Sequence, residues 1–122
     1  MVRFSILVCD DSTVARKQVV HCLNECIDAD IQQAKNGKEA LEQLHHGQFD
    51  LLCLDLTMPE VDGIEVLEQV KANKIETYVL VISADIQQKM RERVAQLGAI
   101  DFIHKPINKI QLNDVLHKFG IY

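Results

Sequence analysis

The sequence predicts an α/β fold in which a parallel five-stranded sheet carries helices on both faces. The apolar runs Phe4–Cys9, Leu51–Leu54 and Tyr78–Ile82 are typical of strands that are covered on both sides. Segments with helical spacing of apolar residues separate the strands, and this alternation favours parallel strands joined by right-handed crossovers. The length of 122 residues suits one domain with a single core.

The composition excludes several classes of function. With 48% hydrophobic and 25% charged residues, the chain resembles an ordinary globular protein. A formal net charge of −5 argues against nucleic acid as a general partner. No stretch approaches the roughly 20 apolar residues that a membrane helix needs, and no signal peptide precedes the first strand. We therefore expect a cytoplasmic protein with no membrane partner.

The first predicted strand leads directly into an acidic turn and a helix. Strand Phe4–Cys9 is followed by Asp10, Asp11 and Ser12. Either Ser12 or Asp11 can cap the helix that begins there. The apolar positions of this helix keep the spacing of one buried stripe, namely Ala15, Val19, Cys22, Leu23, Cys26 and Ile27.

A short second strand and a second helix come next. The strand is predicted near Ile31–Ala34. Asn36 and Glu39 form a capping-box-like start for the helix, whose apolar positions are Ala40, Leu41 and Leu44. Gly47 is predicted to close it in a left-handed conformation. The third strand, Leu51–Leu54, follows.

The third and fourth helices flank the strand Tyr78–Ile82. Gly63 opens the third helix, whose apolar positions are Ile64, Leu67 and Val70. Asp85 is predicted to cap the fourth helix and Gly98 to end it. The apolar stripe of that fourth helix consists of Ile86, Met90, Val94 and Leu97.

The last strand–helix pair is short. Phe102 and Ile103 form the strand, and His104, Lys105 and Pro106 follow it. Asn108 caps the final helix, whose predicted inward-facing residues are Leu112, Val115, Leu116 and Phe119.

The four cysteines are predicted to be buried, reduced thiols. Cys9, Cys22, Cys26 and Cys53 each lie inside an apolar element, which is the usual place of a free cysteine in a cytosolic protein. Cys22 and Cys26 are four residues apart on one helix, beside His21. A zinc site there would need further ligands that the sequence does not identify.

Polar side chains follow four of the five predicted strands. Asp10 and Asp11 follow the first strand, Asp55 the third, Ser83 the fourth and Lys105 the fifth. The carboxyl ends of parallel strands share one edge of the sheet, where open α/β sheets bind their ligands. Taken singly, each acid could be a helix cap or a loop residue, Ser83 a turn serine and Lys105 a solvated side chain. Their occurrence together predicts convergence at one crevice.

Three converging carboxylates indicate a bound cation. Ionised together they repel one another unless a positive charge lies among them. Mg²⁺ fits because it takes a few carboxylate ligands and keeps waters for a phosphate-bearing partner. Beside such an ion Asp55 can act as a nucleophile and form an aspartyl phosphate. Lys105 and Ser83 can then offer a charge and a hydroxyl to the phosphate oxygens.

The motifs resemble the receiver domain of two-component response regulators, in its stand-alone chemotaxis-regulator-like type. The resemblance is carried by Asp10-Asp11-Ser12, Asp55-x-x-Met58-Pro59-x-x-Asp62-Gly63, Ser83-Ala84, Gly98-Ala99, Phe102 and Lys105-Pro106. It covers residues 1–122, so we expect no output domain. It implies a doubly wound, flavodoxin-like three-layer sandwich with the strand order 2-1-3-4-5.

The resemblance also implies a role for each site residue. Asp55 would accept a phosphoryl group from a histidine kinase or a histidine phosphotransfer protein. Asp10, Asp11 and Asp55 would hold Mg²⁺ together with the backbone carbonyl of Thr57. Ser83 and Lys105 would contact the phosphoryl oxygens.

A conformational switch is implied by the same resemblance. Phe102 would be the switch aromatic, working with Ser83, and the Lys105–Pro106 bond would be cis. Phosphorylation would change the face formed by the last helix–strand–helix, which would then bind an effector or phosphatase protein that the sequence does not identify.

Three other functions fit parts of this pattern. A Mg²⁺-dependent phosphohydrolase with an aspartate nucleophile usually has a second aspartate two residues later, where this chain has Thr57. An interaction module that has lost phosphorylation should lack an acid or the lysine, and this chain has all of them. A flavin binder would need a phosphate loop after the first strand, where Asp10 and Asp11 would repel phosphate. We therefore expect a regulator rather than an enzyme.

Overall fold

Five strands and five helices alternate along the part of the chain that the structure describes. The structure is a computed structural model, and it describes residues 4–58, 61–84 and 87–120. The strands are β1 (Phe4–Cys9), β2 (Ala29–Ala34), β3 (Leu51–Leu54), β4 (Tyr78–Ser83) and β5 (Asp101–His104). The helices are α1 (Thr13–Cys26), α2 (Gly37–His46), α3 (Gly63–Ala72), α4 (Gln88–Gln96) and α5 (Lys109–Lys118).

All five strands belong to one parallel sheet with the order β2-β1-β3-β4-β5. In the centre of the sheet Val8 pairs with Cys53, and Cys53 pairs with Leu80. The predicted fold class and strand order are therefore confirmed. The order reverses direction between β1 and β3, so the carboxyl ends of these two strands flank the crevice in which such sheets bind ligands.

A separate apolar core covers each face of the sheet. On one face Leu52 and Val81 pack among residues of α2, α3 and α4, including Leu67. On the other face Ile6 and Leu80 pack among residues of α1 and α5. Because both faces of the strands are covered, β1, β3 and β4 consist of largely apolar runs rather than alternating residues.

Side-chain caps begin four of the helices at the carboxyl edge of the sheet. Ser12 accepts a hydrogen bond from the Ala15 N–H, at 3.2 Å. Asn36 and Asn108 likewise accept from the N–H three residues ahead, as the sequence predicts. Asp62 does the same for the helix that begins at Gly63. These bonds satisfy backbone donors that a helix leaves free at its start.

Three strands are longer than predicted, and one prediction falls outside the described residues. β4 extends one residue beyond its predicted end, to Ser83. β2 begins at Ala29, because it pairs with β1 along the whole length of that strand. β5 runs on to His104, which pairs with Ser83. Within the described residues α4 begins after Gln87, whose side chain makes no capping bond. Asp85 and Ile86, predicted as the cap and first apolar residue of this helix, lie outside those residues.

The prediction of a left-handed Gly47 is wrong. Its φ of −145° and ψ of 171° are extended values, which any residue adopts. The chain leaves α2 directly toward the next strand and needs no reversal there. Gly98, in contrast, has φ +100° after the end of α4, in the left-handed region that favours glycine.

The prediction of four buried cysteines is half right. All four are free thiols, and Cys9 and Cys53 are buried. Cys22 and Cys26 are only partly buried. They lie toward the side of α1 that faces α5, and the Cys26 Sγ contacts the Lys109 carbonyl there at 3.7 Å. Their apolar spacing does not distinguish the centre of a helix stripe from its solvent-facing edge.

Gly63 lies where the chain after β3 folds back against itself. A Cβ atom at this position would lie 2.4 Å from the Asp55 carbonyl oxygen and 2.7 Å from the Leu56 Cα. Both neighbours are backbone atoms, which cannot move aside as a flexible side chain can. A glycine is therefore required where α3 begins against the backbone of Asp55 and Leu56, directly after β3.

We predict that Gly63→Ala destabilises the protein by about 3 kcal/mol, the upper part of the range for overpacking. Gly47→Ala is the matched control, because its new Cβ would make ordinary contacts at 3.5 and 3.6 Å. That control should be neutral or more stable by about 0.5 kcal/mol, since alanine restricts the unfolded chain. Urea unfolding measures both variants, and equal midpoints would contradict the prediction.

Candidate functional site

The carboxyl edge of the sheet brings together the polar residues that follow separate strands. Asp10 follows β1, Asp55 follows β3 and Ser83 ends β4. Their relative exposures are 2%, 5% and 0%, and they are the buried polar or charged residues among those described. Burial of two carboxylates so close together is costly without a cation. The predicted convergence therefore exists, and the charges in it need compensation.

Lys105 supplies positive charge to both buried acids. Its Nζ donates to Asp10 Oδ2 at 2.7 Å and lies 3.3 Å from Asp55 Oδ1. The backbone N–H of Lys105 donates to the Ser83 carbonyl at 2.9 Å, which fixes the start of this segment against β4. The Lys105–Pro106 bond is cis, as the resemblance implies. The lysine therefore lies among the acids rather than in solvent.

The ionisation of the site follows from these contacts. Burial lowers the pKa of Lys105, but the hydrogen bond and negative charge of Asp10 and the charge of Asp55 outweigh it, so the net pKa is raised. Burial and then the charge of Asp10 raise the pKa of Asp55. Lys105 and a hydrogen bond from the Thr57 backbone offset this only in part. The site therefore disfavours the ionised form of the Asp55 carboxyl.

Asp10 is held by its own backbone and by the turn that follows it. Its N–H donates to the Ala34 carbonyl at 3.2 Å. Its Oδ1 accepts from the Ser12 N–H at 2.9 Å, while Oδ2 faces Lys105. Asp11, between them, is exposed. The site is therefore closed on the protein side and open to solvent beside Asp11.

The carboxylates fit a divalent cation. Asp10, Asp11 and Asp55 each offer one oxygen, and these oxygens lie within 4.8 Å of one another. In the part of the chain that the structure describes, this is the one such group of three or more histidine, cysteine or acidic residues. Hard carboxylate oxygens with an open side suit Mg²⁺. The backbone carbonyl of Thr57 stays a predicted ligand, since the contact that Thr57 makes with the site is its hydrogen bond to Asp55.

Phe102 lies on the same face of the sheet as Ser83. Phe102 pairs with Val81 on β4, and Ser83 is two residues further along that strand. Phe102 is 7% exposed and belongs to the core cluster that includes Val94 of α4. The guanidinium of Arg91 lies 5.0 Å from the ring centroid, within the range of a cation–π contact. The aromatic is therefore packed inward in this structure.

Three contacts beside the site were not predicted from the sequence. The Cys9 thiol, just below Asp10, contacts Met58 Sδ at 3.6 Å and the Asn36 carbonyl at 3.4 Å. Burial raises the pKa of Cys9 to about 12, with smaller contributions from the nearby acids, so this thiol stays protonated. Arg16 donates to the carbonyl of Asp10 at 2.8 Å. No local sequence signal marks these contacts, because each joins residues from different elements.

The sheet and the site define a class: a doubly wound α/β protein with a cluster of three acids and a lysine at the switch point of its strands. Comparison with known families is more specific. The model of the response regulator receiver domain matches residues 6–117, and the chain belongs to that family.

Individual relatives agree with this assignment. The chemotaxis protein CheY of Bacillus subtilis is 33% identical over 113 residues, which cover 93% of this chain and 94% of that protein. The protein-glutamate methylesterase/protein-glutamine glutaminase 3 of Rhodospirillum rubrum is 36% identical over 109 residues. These cover 88% of this chain but 30% of the relative, so the chain spans about a third of the length of such methylesterases.

A solved structure supports the same fold. A chain in the CheX–CheY–BeF3–Mg²⁺ complex of Borrelia burgdorferi superimposes with a TM-score of 0.86 at 27% identity. The match covers 98% of this chain and 90% of that chain. None of the helices within the described ranges combines the length and apolar character needed to cross a bilayer.

We predict that Asp55→Asn stabilises the metal-free protein at neutral pH. The folded state raises the pKa of Asp55, so it favours the protonated carboxyl. That contribution is fully present below the unfolded pKa and is lost as the pH rises through the folded pKa, leaving ionised Asp55 destabilising at neutral pH. Asparagine keeps the shape and removes the charge.

Urea unfolding in the presence of a chelator provides the measurement. The midpoint of Asp55→Asn should exceed that of the wild type at neutral pH. The gap should shrink as the pH falls through the raised pKa of folded Asp55, and it should reach its minimum below about pH 4, where the carboxyl of the unfolded chain is protonated too. Asp114→Asn, at an exposed position of α5, is the control and should leave the midpoint unchanged. A lower midpoint for Asp55→Asn at neutral pH would refute this account of the site.

Proposed function

We propose that this chain is the phosphoacceptor of a two-component system, and that Asp55 takes the phosphoryl group. The observation that carries the proposal is the Lys105 ammonium, which lies between the two buried acids at 2.7 and 3.3 Å. The charge of Lys105 favours the ionised, nucleophilic form of Asp55 and offsets part of the effect of burial, while the site stays closed on the protein side. Membership of the receiver family supports the same role.

In the proposed reaction a carboxylate oxygen of Asp55 attacks the phosphorus of a phosphohistidine. A P–O bond forms, the P–N bond breaks, and the imidazole leaves with its electron pair and takes up a proton. The donor would be a histidine kinase or a histidine phosphotransfer protein. Lys105 and the Ser83 hydroxyl would contact the oxygens of the transferred group, since both already lie at this edge of the sheet.

Asp10, Asp11 and Asp55 would hold Mg²⁺, with the carbonyl of Thr57 as a further ligand. When bound, the ion neutralises negative charge that would otherwise oppose the approach of a phosphoryl group. Asp11 suits this role because it is exposed at the open side of the site. The similar chain from Borrelia burgdorferi was solved as a complex with Mg²⁺, which supports the choice of metal.

An apolar groove beside the site suits the phosphodonor protein. It lies between α1 and the segment after β5, and Val14, Cys22, Pro106 and Ile107 are among its lining residues. Its volume is about 470 Å³. Val14 is 68% exposed, a large apolar side chain that the described residues leave in solvent. Because Pro106 directly follows Lys105, which contacts Asp55, a phosphodonor protein bound in this groove would lie beside the site.

Phe102 and Ser83 would transmit the change. Drawing the Ser83 hydroxyl toward a phosphoryl group would alter the space next to the Phe102 ring, which already lies inward in the core beside α4. The affected surface would be formed by α4, β5 and α5, and an effector or phosphatase protein would bind it. The Borrelia burgdorferi chain was solved in complex with CheX, which supports regulation by a partner protein.

A phosphohydrolase and a phosphorylation-independent module are less well supported. The residue two after Asp55 is Thr57, which cannot serve as the second carboxylate of an aspartate-based hydrolase. A module that no longer accepts phosphate should have lost an acid or the lysine, whereas this chain keeps Asp10, Asp55 and Lys105 in contact. We propose that the chain regulates a partner and does not turn over a small-molecule substrate.

We predict that Mg²⁺ and a small phosphodonor such as acetyl phosphate will label the protein once, on Asp55. The label should be stable in acid and labile in alkali, as an acyl phosphate is. Intact-mass measurement should show the added phosphate in the wild type and none in Asp55→Asn.

Asp50→Asn is the control for that experiment. Asp50 precedes β3 at the opposite edge of the sheet, where its carboxylate accepts from the Ser5 N–H. This variant should label like the wild type. Undiminished labelling of Asp55→Asn would exclude Asp55 as the acceptor.

We predict that Lys105→Ala keeps Mg²⁺ binding but uncouples phosphorylation from Phe102. The three carboxylates stay in place in this variant. The ammonium group of Lys105, which would move toward the phosphoryl group, is absent. Fluorine NMR of a fluorinated Phe102 is the measurement, with and without beryllofluoride and Mg²⁺. The wild-type resonance should shift on addition, and the Lys105→Ala resonance should not.

Lys109→Ala is the matched control for this lysine. Lys109 begins α5 and pairs with Glu25 at 3.4 Å, away from the acids. Its Phe102 resonance should respond as in the wild type. A wild-type resonance that never changes would remove Phe102 from the switch, and loss of the Mg²⁺ site in Lys105→Ala would overturn the role given to the lysine.

A further inference from the structure

Arg16 makes a two-pronged contact that the proposed reaction does not use. It lies near the start of α1 (Thr13–Cys26) and is partly buried. Its Nη1 donates to the main-chain carbonyl of Asp10 at 2.8 Å. Its Nε donates to Gln33 Oε1 on β2, also at 2.8 Å. Both acceptors are neutral oxygens, so neither contact is an ion pair.

The position of this arginine is unfavourable for the helix itself. The start of a helix favours negative charge, yet the first turn of α1 contains no acid and Arg16 follows it. Helical side chains lean toward the N-terminus of their own helix, and that direction takes the guanidinium back to Asp10. The two hydrogen bonds offset this unfavourable interaction with the helix dipole.

These bonds restrain the backbone that carries two of the three acids. The N–H of Asp10 donates to the Ala34 carbonyl of β2. Its carbonyl accepts from Arg16, which is itself fixed to β2 through Gln33. The Gln33 carbonyl in turn accepts from Gln43 of α2 at 3.0 Å. The peptide groups on both sides of Asp10 are therefore tied to the neighbouring strand.

Backbone position decides where these carboxylates lie. An aspartate side chain has two rotatable bonds, so its oxygens follow the backbone closely. The Asp10 carboxylate is also fixed by Ser12 and Lys105, whereas Asp11 is exposed. A shift of the peptide between Asp10 and Asp11 would move Asp11 away from the other two acids.

We propose that Arg16 is a positioning residue for the cation site, and that it sets Mg²⁺ affinity by fixing the Asp10–Asp11 peptide against β2 through Gln33. The inference rests on the proposed function, because it takes the three acids as the Mg²⁺ ligands. Arginine suits the task because its planar fork can meet two acceptors in fixed directions, which a lysine ammonium does not. Arg16 touches neither Asp55 nor Lys105 within the described contacts. Its effect on the metal site would therefore arise from the position of the Asp10–Asp11 peptide.

The test is a Mg²⁺ titration of the folded protein followed by amide NMR, which needs no phosphodonor. Both Arg16→Gln and Arg16→Lys remove the planar guanidinium fork. Arg16→Gln also removes the positive charge, whereas Arg16→Lys keeps it. Gln33→Leu removes the acceptor on an exposed strand position, and Gln33→Glu keeps it. Arg93→Gln is the control, because Arg93 pairs with Glu68 at 3.4 Å and does not contact the acids.

Both Arg16 variants should weaken Mg²⁺ affinity by about tenfold, the lower end for loss of an outer hydrogen-bond partner of a metal site. Gln33→Leu should weaken it too, and Arg16→Gln combined with Gln33→Leu should be no worse than Arg16→Gln alone. Gln33→Glu and Arg93→Gln should bind like the wild type. Labelling by acetyl phosphate at saturating Mg²⁺ should stay within about twofold of the wild type, because Asp55 and Lys105 are unchanged.

Each contrary result has a distinct meaning. Wild-type affinity in Arg16→Lys would show that charge, not the fork, matters, and would overturn the inference. Additive losses from Arg16→Gln and Gln33→Leu would do the same, because the two side chains would then act separately. A wild-type protein that shows no Mg²⁺-dependent shifts would overturn the proposed function itself, whereas normal wild-type binding with unaffected variants would remove Arg16 alone.

Discussion

The ion pair among Lys105, Asp10 and Asp55 is the interaction on which the rest of the site depends. Burial removes hydration from two carboxylates whose relative exposures are 2% and 5%, and the two negative charges repel each other. The positive charge of Lys105 compensates for part of both costs. The ammonium comes from beyond β5, at the edge of the sheet, and reaches over the end of β4 to acids that follow β3 and β1. One side chain thereby connects the edge strand to the centre of the sheet.

Lys105 compensates for only part of the negative charge at the site. The uncompensated part favours the binding of a cation, as the proposed function requires. Asp55 keeps a raised pKa despite Lys105, because burial and the charge of Asp10 outweigh the lysine. A ligand that binds only the folded chain raises its stability by mass action, so a cation would relieve the strain at this site. Catalytic and binding sites often retain such strain in place of maximal stability. An arrangement of acids that costs the free protein stability is the one that the proposed binding of a cation and a phosphoryl group requires.

The sequence predicts those features whose causes are local. Apolar runs predict the strands, and Ser12, Asn36 and Asn108 predict the helix starts, because a cap acts within three residues. Gly47 misleads, since glycine permits a left-handed conformation without requiring it. The contacts of Lys105 with Asp10, 95 residues apart, and of Arg16 with Gln33, 17 apart, depend on strand order and on side-chain reach. The local sequence pattern shows which polar residues follow each strand. It does not show which of these residues contact one another.

The placement of Phe102 on β5 and of Lys105 directly after that strand gives the proposed switch a physical route. The two residues are three positions apart, so a displacement of Lys105 would shift the backbone of β5 and with it the position of Phe102. A phosphoryl group on Asp55 would compete with Asp10 for the single ammonium, because it adds further negative charge and strong acceptor oxygens. The Phe102 ring is packed between β4 and α4, with Arg91 against it. Packed interiors respond to such a pull by moving between discrete arrangements rather than by stretching, so a small change of charge at Asp55 can become a repacking at α4.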